Sequence, residues 1–254
     1  MATVATAAGA GPVLTLGLGV SMSALQVSIG ALNDIHDAPD DAGRKPGKPI
    51  PAGLVSVPVA WAVVGGGALV GVALGAVVDV RMGALAVVVL LIGYGYDLVA
   101  KGMAWSWLPF AVGIPLLPVY GWLGAAGGLP SFFLALVPMA VLAGAALAIA
   151  NARADLERDV AAGTASVATR LGLEGSWRLH AALWLLTVIV GLGWLALRGV
   201  GLPHIAPVAV AAGLIGAAAL WSRDRRAAGR ERAWQFEAVG GALAMATWLV
   251  AAVG

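Results

Sequence analysis

Cysteine is absent from this sequence of 254 residues. Its absence excludes disulfide bonds and metal sites built on thiolates. Charge is also scarce: Asp, Glu, Lys and Arg make up 11% of the chain, whereas a soluble domain carries about 25%. The leading segment MATVATAAGAGP has no basic residue, so it does not open a signal peptide. Together these deficits are typical of a membrane protein.

Long apolar runs separate the short charged segments of the chain. Hydrophobic residues make up 61% of the chain, and the mean hydropathy is +0.93. A helix of about 20 residues crosses a hydrocarbon core of about 30 Å. Runs of suitable length lie at approximately 10–32, 58–79, 83–100, 107–124, 131–151, 179–197, 204–221 and 236–253. The sequence therefore predicts an all-α polytopic membrane protein, a bundle of about eight transmembrane helices in a single domain over residues 1–254.

The basic residues are distributed unevenly between the connections. Lysine and arginine follow the odd-numbered runs, and only Arg81 and Arg198, of 15 basic residues, follow even-numbered ones. Cytoplasmic connections carry the excess of basic residues, so we expect both termini outside a bacterial-type inner membrane and the polar connections after odd-numbered runs inside. The net charge of +2 follows from this topology and requires no nucleic-acid partner.

One polar spacing occurs twice. N-x-x-x-D-x-x-x-D is found at Asn33, Asp37 and Asp41, and again at Asn151, Asp155 and Asp159. We call these triplets the first and the second acidic motif. Helical residues four apart lie on one face, with a drift of about 40° per step, so each motif predicts one wall of a cavity. Because the motifs end the first and fifth runs, they predict two pseudo-repeated four-helix halves around a central cavity.

Two facing carboxylate clusters at a membrane surface suit one kind of chemistry. Magnesium prefers one or two carboxylates together with water and phosphate oxygens, and it neutralises a diphosphate so that it leaves more readily. Basic side chains nearby would complete such a site; the candidates are Arg44, Lys48, Lys101 and Arg153. We therefore predict that a lipid diphosphate binds with its head at the motifs, on the cytoplasmic side, and its tail in the bundle.

Three stretches resemble one known family, the UbiA superfamily of intramembrane aromatic prenyltransferases. The first is NDIHDAPDD, which leads on to KPIPAG. The second is NARADLERDVAAGTASVATRLG, and the third is YDLVAKG, from Tyr96 to Gly102. Together the three stretches span most of the chain, and their spacing is specific to the family.

The resemblance implies a helical bundle, usually of nine helices, whose partners are Mg²⁺, a prenyl diphosphate, a lipophilic acceptor and membrane lipid. It implies that the prenyl group passes, through an allylic carbocation, to an aromatic or other electron-rich acceptor within the membrane. The metal ligands that it implies are Asn33, Asp37, Asp41, Asn151, Asp155 and Asp159, of which the four aspartates are catalytic. The diphosphate contacts that it implies are Arg44, Lys48, Tyr96, Lys101 and Arg153.

The sequence departs from the family pattern at several points. Asn151 stands where many members have aspartate, and Ala165 replaces a common basic residue. Pro39 removes a helical hydrogen bond, which predicts a helix end near residue 38 and lets Asp40 compete with Asp41 as a ligand. The first motif closes the first run rather than the second, so we expect the family's opening helix to be missing, either because the true start lies upstream or because this subgroup lacks it.

Two other functions stay open on the sequence alone. A membrane ion transporter also uses intramembrane acids, but it needs polar groups near the middle of the bilayer, where these spans are rich in Gly, Ala and Val. A UbiA-type terpene cyclase captures the carbocation within the same molecule, and composition does not separate it from a transferase.

The remaining aromatic and histidine residues receive structural interpretations. Trp105 and Trp107 are expected at one membrane boundary, and Tyr120 and Trp122 at the opposite one. His180 is assigned no chemistry, because no paired ligand is visible in the sequence.

Overall fold

The computed structural model describes residues 1–43 and 47–254, and within these ranges the protein is helical and has no strand. The α-helices, numbered in chain order, are α1 (Ala2–Ala7), α2 (Pro12–Asp41), α3 (Val57–Val78), α4 (Val80–Gly95), α5 (Trp107–Ala126), α6 (Phe133–Ala154), α7 (Leu156–Ala161), α8 (Val167–Leu197), α9 (Leu202–Trp221) and α10 (Ala227–Val253). A π-helical segment, Tyr96–Ala100, continues α4. Eight helices of the described ranges are long and apolar enough to cross a membrane, which confirms the predicted class and number.

The first acidic motif lies in a helix that does not end where its proline predicts. α2 continues through Pro39 to Asp41, so the expected end near residue 38 is wrong. Pro39 lacks the N–H that would bond the carbonyl of residue 35, but two more residues of α2 follow it. The next turn still closes, because the Ala42 amide donates to the Ala38 carbonyl at 3.2 Å. Asp41 is therefore in helical phase with Asp37.

The chain forms two compact units. Unit 1 comprises Met1–Lys101 and Leu116–Gly128, and unit 2 comprises Gly102–Pro115 and Leu129–Gly254. α5 contributes its first half to unit 2 and its second half to unit 1. Each unit contains one acidic motif, as the predicted division into two halves requires. The central cavity and the single domain over 1–254 stay predictions.

Serine side chains tie the helices of unit 1 together in an apolar interior. The hydroxyl of Ser21 on α2 donates to the Gly71 carbonyl on α3 at 2.7 Å and hydrogen-bonds the Tyr120 hydroxyl on α5 at 2.7 Å. Two turns later, Ser28 donates to another α3 carbonyl at 2.6 Å and meets the Tyr94 hydroxyl of α4 at 2.6 Å. Hydrogen bonds between membrane helices add to van der Waals packing, so α2 has a fixed position against its neighbours.

Two aromatic residues in the second half of α5 are buried. Tyr120 is 0% and Trp122 7% exposed, so neither faces lipid or water, as a residue of an aromatic belt would. A buried tyrosine hydroxyl needs a hydrogen-bond partner, and Ser21 provides it. Trp105 is 42% exposed, and its place at the other boundary stays a prediction.

α6 is the most deeply packed helix of unit 2. Many of its side chains are small, and 67% of its apolar stretch is buried inside the protein. Gly144 lies so close to α5 that a Cβ there would be 2.5 Å from the Phe110 carbonyl oxygen. Small residues let membrane helices approach closely. On its other sides α6 packs Ala143 and Ala146 against Trp184 of α8 and Ile215 of α9. α6 ends directly before Asp155, so this packing positions the second motif.

Candidate functional site

The first acidic motif occupies the last turns of α2. Asn33 and Asp37 are partly buried, and Asp41 is 6% exposed. Asp40, which the sequence offers as a competing ligand, is exposed. The continuous helix therefore places Asp41, rather than Asp40, on the side of Asp37.

An aspartate that sequence reasoning missed lies beside the first motif. The Asn33 side-chain amide donates to Asp97 Oδ1 at 2.9 Å, and Asp97 is 2% exposed. Its second oxygen, Oδ2, is buried and has no hydrogen-bond partner among the described residues. Asp97 follows Tyr96 in the π-helical segment. The available signal was an acid inside a long apolar run, since such residues in membrane spans are often functional.

Two lysines lie against the first motif. Lys101, directly after the π-helical segment, donates to Asp37 Oδ2, and Lys48, in the connection after α2, donates to Asp34 Oδ1. Partial burial lowers the pKa of the Lys48 ammonium, but the hydrogen bond and charge of Asp34, with the charges of Asp41 and Asp37, outweigh it and raise the pKa above its ordinary value. Lys48 is therefore cationic at neutral pH.

Of the two remaining diphosphate contacts predicted near the first motif, the structure describes Tyr96 but not Arg44. Tyr96 begins the π-helical segment and is partly buried. Arg44 lies outside the described residues. Their roles as diphosphate contacts stay predictions.

The second acidic motif spans a break between two helices. α6 ends at Ala154, Asp155 has φ −94° and ψ 2°, and α7 begins at Leu156. One continuous helix was expected, so that part of the prediction is wrong. The hydrogen bonds of helical spacing nevertheless persist: the Asp155 amide donates to the Asn151 carbonyl at 3.3 Å, and the Asp159 amide donates to the Asp155 carbonyl at 2.9 Å. The backbone hydrogen bonds between the three motif residues therefore still have the spacing of a helix, although Asp155 lies at the break between α6 and α7.

Two arginines next to the second acidic motif contact other groups of the protein. Arg158 pairs with Asp155 Oδ2. Arg153 is 1% exposed and donates to Ser176 Oγ and to the Ser222 carbonyl, each at 2.8 Å, as well as to the Leu173 carbonyl. These contacts assign Arg153 a structural role in unit 2 and count against the predicted contact with diphosphate.

A buried polar cluster in unit 2 was also missed. His180 Nε2 lies 2.7 Å from Glu237 Oε2, and the Trp184 indole donates to the same oxygen at 3.1 Å. His180 and Glu237 are both 0% exposed. The signal for Glu237 was a lone acid inside the last apolar run, but its partner on α8 was not identifiable from spacing.

The donor atoms of the two motifs suit a magnesium ion that is shared with a phosphate ligand. Within the described residues, no group of three or more His, Asp and Glu side chains is placed to hold a metal ion. Each motif instead offers two carboxylates and one amide oxygen. Magnesium characteristically takes one or two carboxylates and completes its octahedron with waters and phosphate oxygens. The residues present therefore fit Mg²⁺ bound together with a diphosphate better than Mg²⁺ bound by protein alone.

The model of the UbiA prenyltransferase family matches residues 1–251 of the chain. Among solved structures, the apo form of a UbiA homologue from Aeropyrum pernix K1 matches with a TM-score of 0.76 and 18% identity, over 98% of this chain and 94% of that one. A structure of digeranylgeranylglyceryl phosphate synthase matches with a TM-score of 0.74 and 18% identity, over 99% and 90%. A UbiA homologue from Archaeoglobus fulgidus bound to DMAPP and Mg²⁺ matches with a TM-score of 0.69 and 19% identity, over 96% and 93%. No curated protein sequence matches the chain.

These comparisons carry different weight. The solved structures, at 18% and 19% identity, show that the helical fold is shared. The family model covers nearly the whole chain, including both acidic motifs and the YDLVAKG stretch. The eight apolar helices agree with a protein embedded in the membrane. The resemblance that the three stretches predicted is thus confirmed, and the chain belongs to the UbiA prenyltransferase family of integral membrane proteins.

Proposed function

We propose that the protein transfers a prenyl group from a prenyl diphosphate to an electron-rich lipophilic acceptor in the membrane, with Mg²⁺ as cofactor. The first acidic motif is the observation that carries this proposal: α2 presents Asn33, Asp37 and Asp41 in helical phase, and Lys101 contacts Asp37. Membership of the family supports it. Homologues from Archaeoglobus fulgidus were solved with DMAPP and Mg²⁺ and with GPP and Mg²⁺.

Each part of the site has a distinct task under this proposal. Asn33, Asp37 and Asp41 would be Mg²⁺ ligands in unit 1, and Asn151, Asp155 and Asp159 would be Mg²⁺ ligands in unit 2. When bound, the ion supplies positive charge that stabilises the departing diphosphate. Lys48 and Lys101 add cations beside the first motif, and charge-assisted hydrogen bonds of this kind orient phosphate oxygens. Asp97 accepts a hydrogen bond from the Asn33 side-chain NH₂ group, and this bond leaves the side-chain carbonyl oxygen of Asn33 to serve as a ligand of the ion.

The proposed reaction breaks one bond and forms another. The bond between the allylic carbon and the diphosphate oxygen breaks, and both electrons leave with the diphosphate. The resulting allylic carbocation accepts an electron pair from the acceptor, which then loses a proton. In a cyclase the same cation would take electrons from a double bond of its own chain, with no acceptor consumed.

The decisive experiment compares aspartates that differ in placement. Purified protein in detergent or nanodiscs receives Mg²⁺, prenyl diphosphates of several lengths and a lipid extract, and mass spectrometry follows diphosphate release and prenylated products. Asp37→Asn and Asp155→Asn are expected to lower diphosphate release by about 100-fold or more. Asp40→Asn is the matched control, because Asp40 lies in the last turn of α2 but is exposed, and it is expected to retain wild-type activity.

Each result of that experiment has a defined meaning. Full turnover by Asp37→Asn and Asp155→Asn contradicts the proposal. Diphosphate release without an adduct, together with a cyclic hydrocarbon, identifies a terpene cyclase instead. No consumption of any prenyl diphosphate by the wild type contradicts both enzymatic functions.

We further propose that the acidic motifs face the cytoplasm of a cell with a bacterial-type inner membrane, as the distribution of basic residues indicates. Because the chain contains no cysteine, each introduced thiol is unique. In intact cells a membrane-impermeant thiol reagent should label Arg198→Cys and leave Asp40→Cys unlabelled until the membrane is permeabilised. The reverse pattern contradicts this orientation.

A further inference from the structure

Two buried arginines adjoin the second acidic motif in unit 2. Arg153 and Arg230 are each 1% exposed, although arginine is rarely buried without partners. Arg153 uses Nη1 and Nη2 to reach Leu173, Ser176 and Ser222. These acceptors belong to α8 and to the residue that follows α9. Arg153 therefore fastens the end of α6 to two neighbouring helices.

Arg230, in the first turn of α10, reaches both sides of the joint at Asp155. Its Nε donates to the Arg153 carbonyl at 2.7 Å, and its Nη2 donates to the Glu157 carboxylate. Its Nη1 donates to two carbonyls of the connection before α10, at 2.8 Å and 3.2 Å. Asp155 lies two residues after Arg153 and two residues before Glu157, the two residues on either side of the joint that Arg230 contacts. One guanidinium thus bridges the break between α6 and α7.

The joint needs such a connection for a physical reason. The last carbonyls of a helix lack partners within it, and a cation there is favourable. α7 has only six residues, and a helix so short is marginal without outside contacts. Arg230 adds a charged donor to the Arg153 carbonyl, which also accepts from a backbone N–H at the end of α6, and it holds a side chain of the first turn of α7. These contacts restrain the direction of α7 relative to α6.

Acidic groups offset part of the charge of the two buried arginines. Glu157 accepts from Arg230, and Glu237 and Glu174 favour the charge on Arg153, whereas Arg153 and Arg230 repel each other. Glu237 is itself fully buried and accepts hydrogen bonds from α8. A buried ionic network contributes little net stability compared with apolar packing, whereas removal of one member leaves an uncompensated charge. What distinguishes this network from apolar packing is therefore its effect on the geometry of the joint, not its net stability.

We propose that Arg230, supported by Arg153, is a positioning residue for the second acidic motif: it sets the orientation of Asp155 by bridging the break between α6 and α7. It acts through the protein backbone and Glu157 and does not itself touch the diphosphate. This inference rests on the proposed function for the role of Asp155, but the geometry of the joint is testable independently.

Hydrogen–deuterium exchange of the ligand-free protein tests the geometry. Arg230→Gln is expected to speed exchange in the peptide over 151–164 by about 10-fold, because hydrogen bonds to a charged group are lost. Arg232→Gln is the matched control, since Arg232 is exposed on the same helix, and it should leave this peptide unchanged. Unchanged exchange in Arg230→Gln overturns the inference, whatever the activity of the protein.

Magnesium dependence tests the consequence for the motif. The Mg²⁺ concentration that gives half-maximal diphosphate release is expected to rise about 10-fold or more in Arg230→Gln, as is typical when a group that orients metal ligands is removed. Tyr120→Phe, which lowers stability in unit 1, should leave that concentration unchanged. If the wild type releases no diphosphate, the proposed function fails while the exchange result still decides the positioning role.

A milder variant keeps the test decisive if Arg230→Gln does not fold. Glu157 is 57% exposed in its side chain, so Glu157→Gln removes one arm of the bridge at little cost to burial. We expect faster exchange over 151–164, by about threefold. Exchange equal to that of the wild type in Glu157→Gln would overturn the proposal.

Discussion

Substitution of Gly144 by alanine should destabilise unit 2, because two backbones meet at this residue. A Cβ at position 144 would lie 2.5 Å from the Phe110 carbonyl oxygen, 2.9 Å from its carbon and 3.1 Å from the Ala111 Cα. Ordinary contacts begin at 3.4 Å. All three neighbours are backbone atoms of α5, so no side chain can rotate away. α5 and α6 would have to separate by close to 1 Å along their crossing.

The size of the effect follows from two opposing contributions. Overpacking a tight contact costs about 1–3 kcal/mol, whereas replacing a helical glycine by alanine gains up to about 1 kcal/mol. If the full gain applies, the expected net loss is up to about 2 kcal/mol. A change of 1 kcal/mol shifts Tm by about 2–4 °C in a chain of this size, so Gly144→Ala should unfold up to about 8 °C below the wild type.

Thermal unfolding in detergent, followed by tryptophan fluorescence, measures this shift, since the chain contains 10 tryptophans. Gly193→Ala on α8 is the matched control, because a Cβ there meets nothing within 4 Å. It should retain the wild-type Tm or exceed it by about 1–3 °C. A Tm for Gly144→Ala at or above that of Gly193→Ala would refute the close approach of α5 and α6.

Three further perturbations have expected outcomes. Glu237→Leu removes the carboxylate that hydrogen-bonds His180 and Trp184 and should lower stability by about 1–3 kcal/mol, more than Glu237→Gln; equal Tm values in the two variants would contradict this buried hydrogen-bond cluster. Tyr120→Phe should cost about 1 kcal/mol, and a double-mutant cycle with Ser21→Ala should show non-additive losses in Tm. Hydrogen bonds from the side chain and backbone of Arg81 lower the pKa of Asp79 from 3.8 to about 2. The charge of Asp79 therefore stabilises the fold above pH 3.8, and this stabilisation is lost as the pH falls towards about 2. The Tm difference between wild type and Asp79→Asn should therefore be constant at neutral and mildly acidic pH and vanish near pH 2; a constant difference down to that pH would contradict the pairing.

The first acidic motif was predictable because its geometry is local. Four-residue spacing inside one helix places Asn33, Asp37 and Asp41 together without any knowledge of the fold. The contact between Asp37 and Lys101 crosses 64 residues; the sequence indicated Lys101 as a cation near the motifs but did not predict its contact with Asp37. Pro39 was overvalued as a helix terminator, since α2 continues to Asp41 and the Ala42 amide still donates to the Ala38 carbonyl.

The second acidic motif shows what the sequence does not contain. The break at Asp155 is bridged by Arg230, whose bond to the Arg153 carbonyl spans 77 residues. No periodicity links two such positions, so the sequence suggested Arg153 as a diphosphate contact but not its burial or its hydrogen bonds to Ser176 and Ser222. His180 and Glu237, 57 residues apart, escaped notice for the same reason, although a lone acid in an apolar run was a usable warning.

The π-helical segment Tyr96–Ala100 has a consequence for how tolerant this chain is to changes in length. A π-helical turn accommodates one residue more than an α-helical turn, and each residue of an α-helix turns the chain by about 100°. Deleting one exposed residue of the segment, such as Val99, would therefore convert the π-turn into an α-turn and leave Lys101 at nearly the same angle beside Asp37. Deleting one residue within α4 would instead turn Lys101 by about 100° relative to the start of that helix. The chain thus tolerates the loss of one residue in the π-helical segment better than in the α-helix before it.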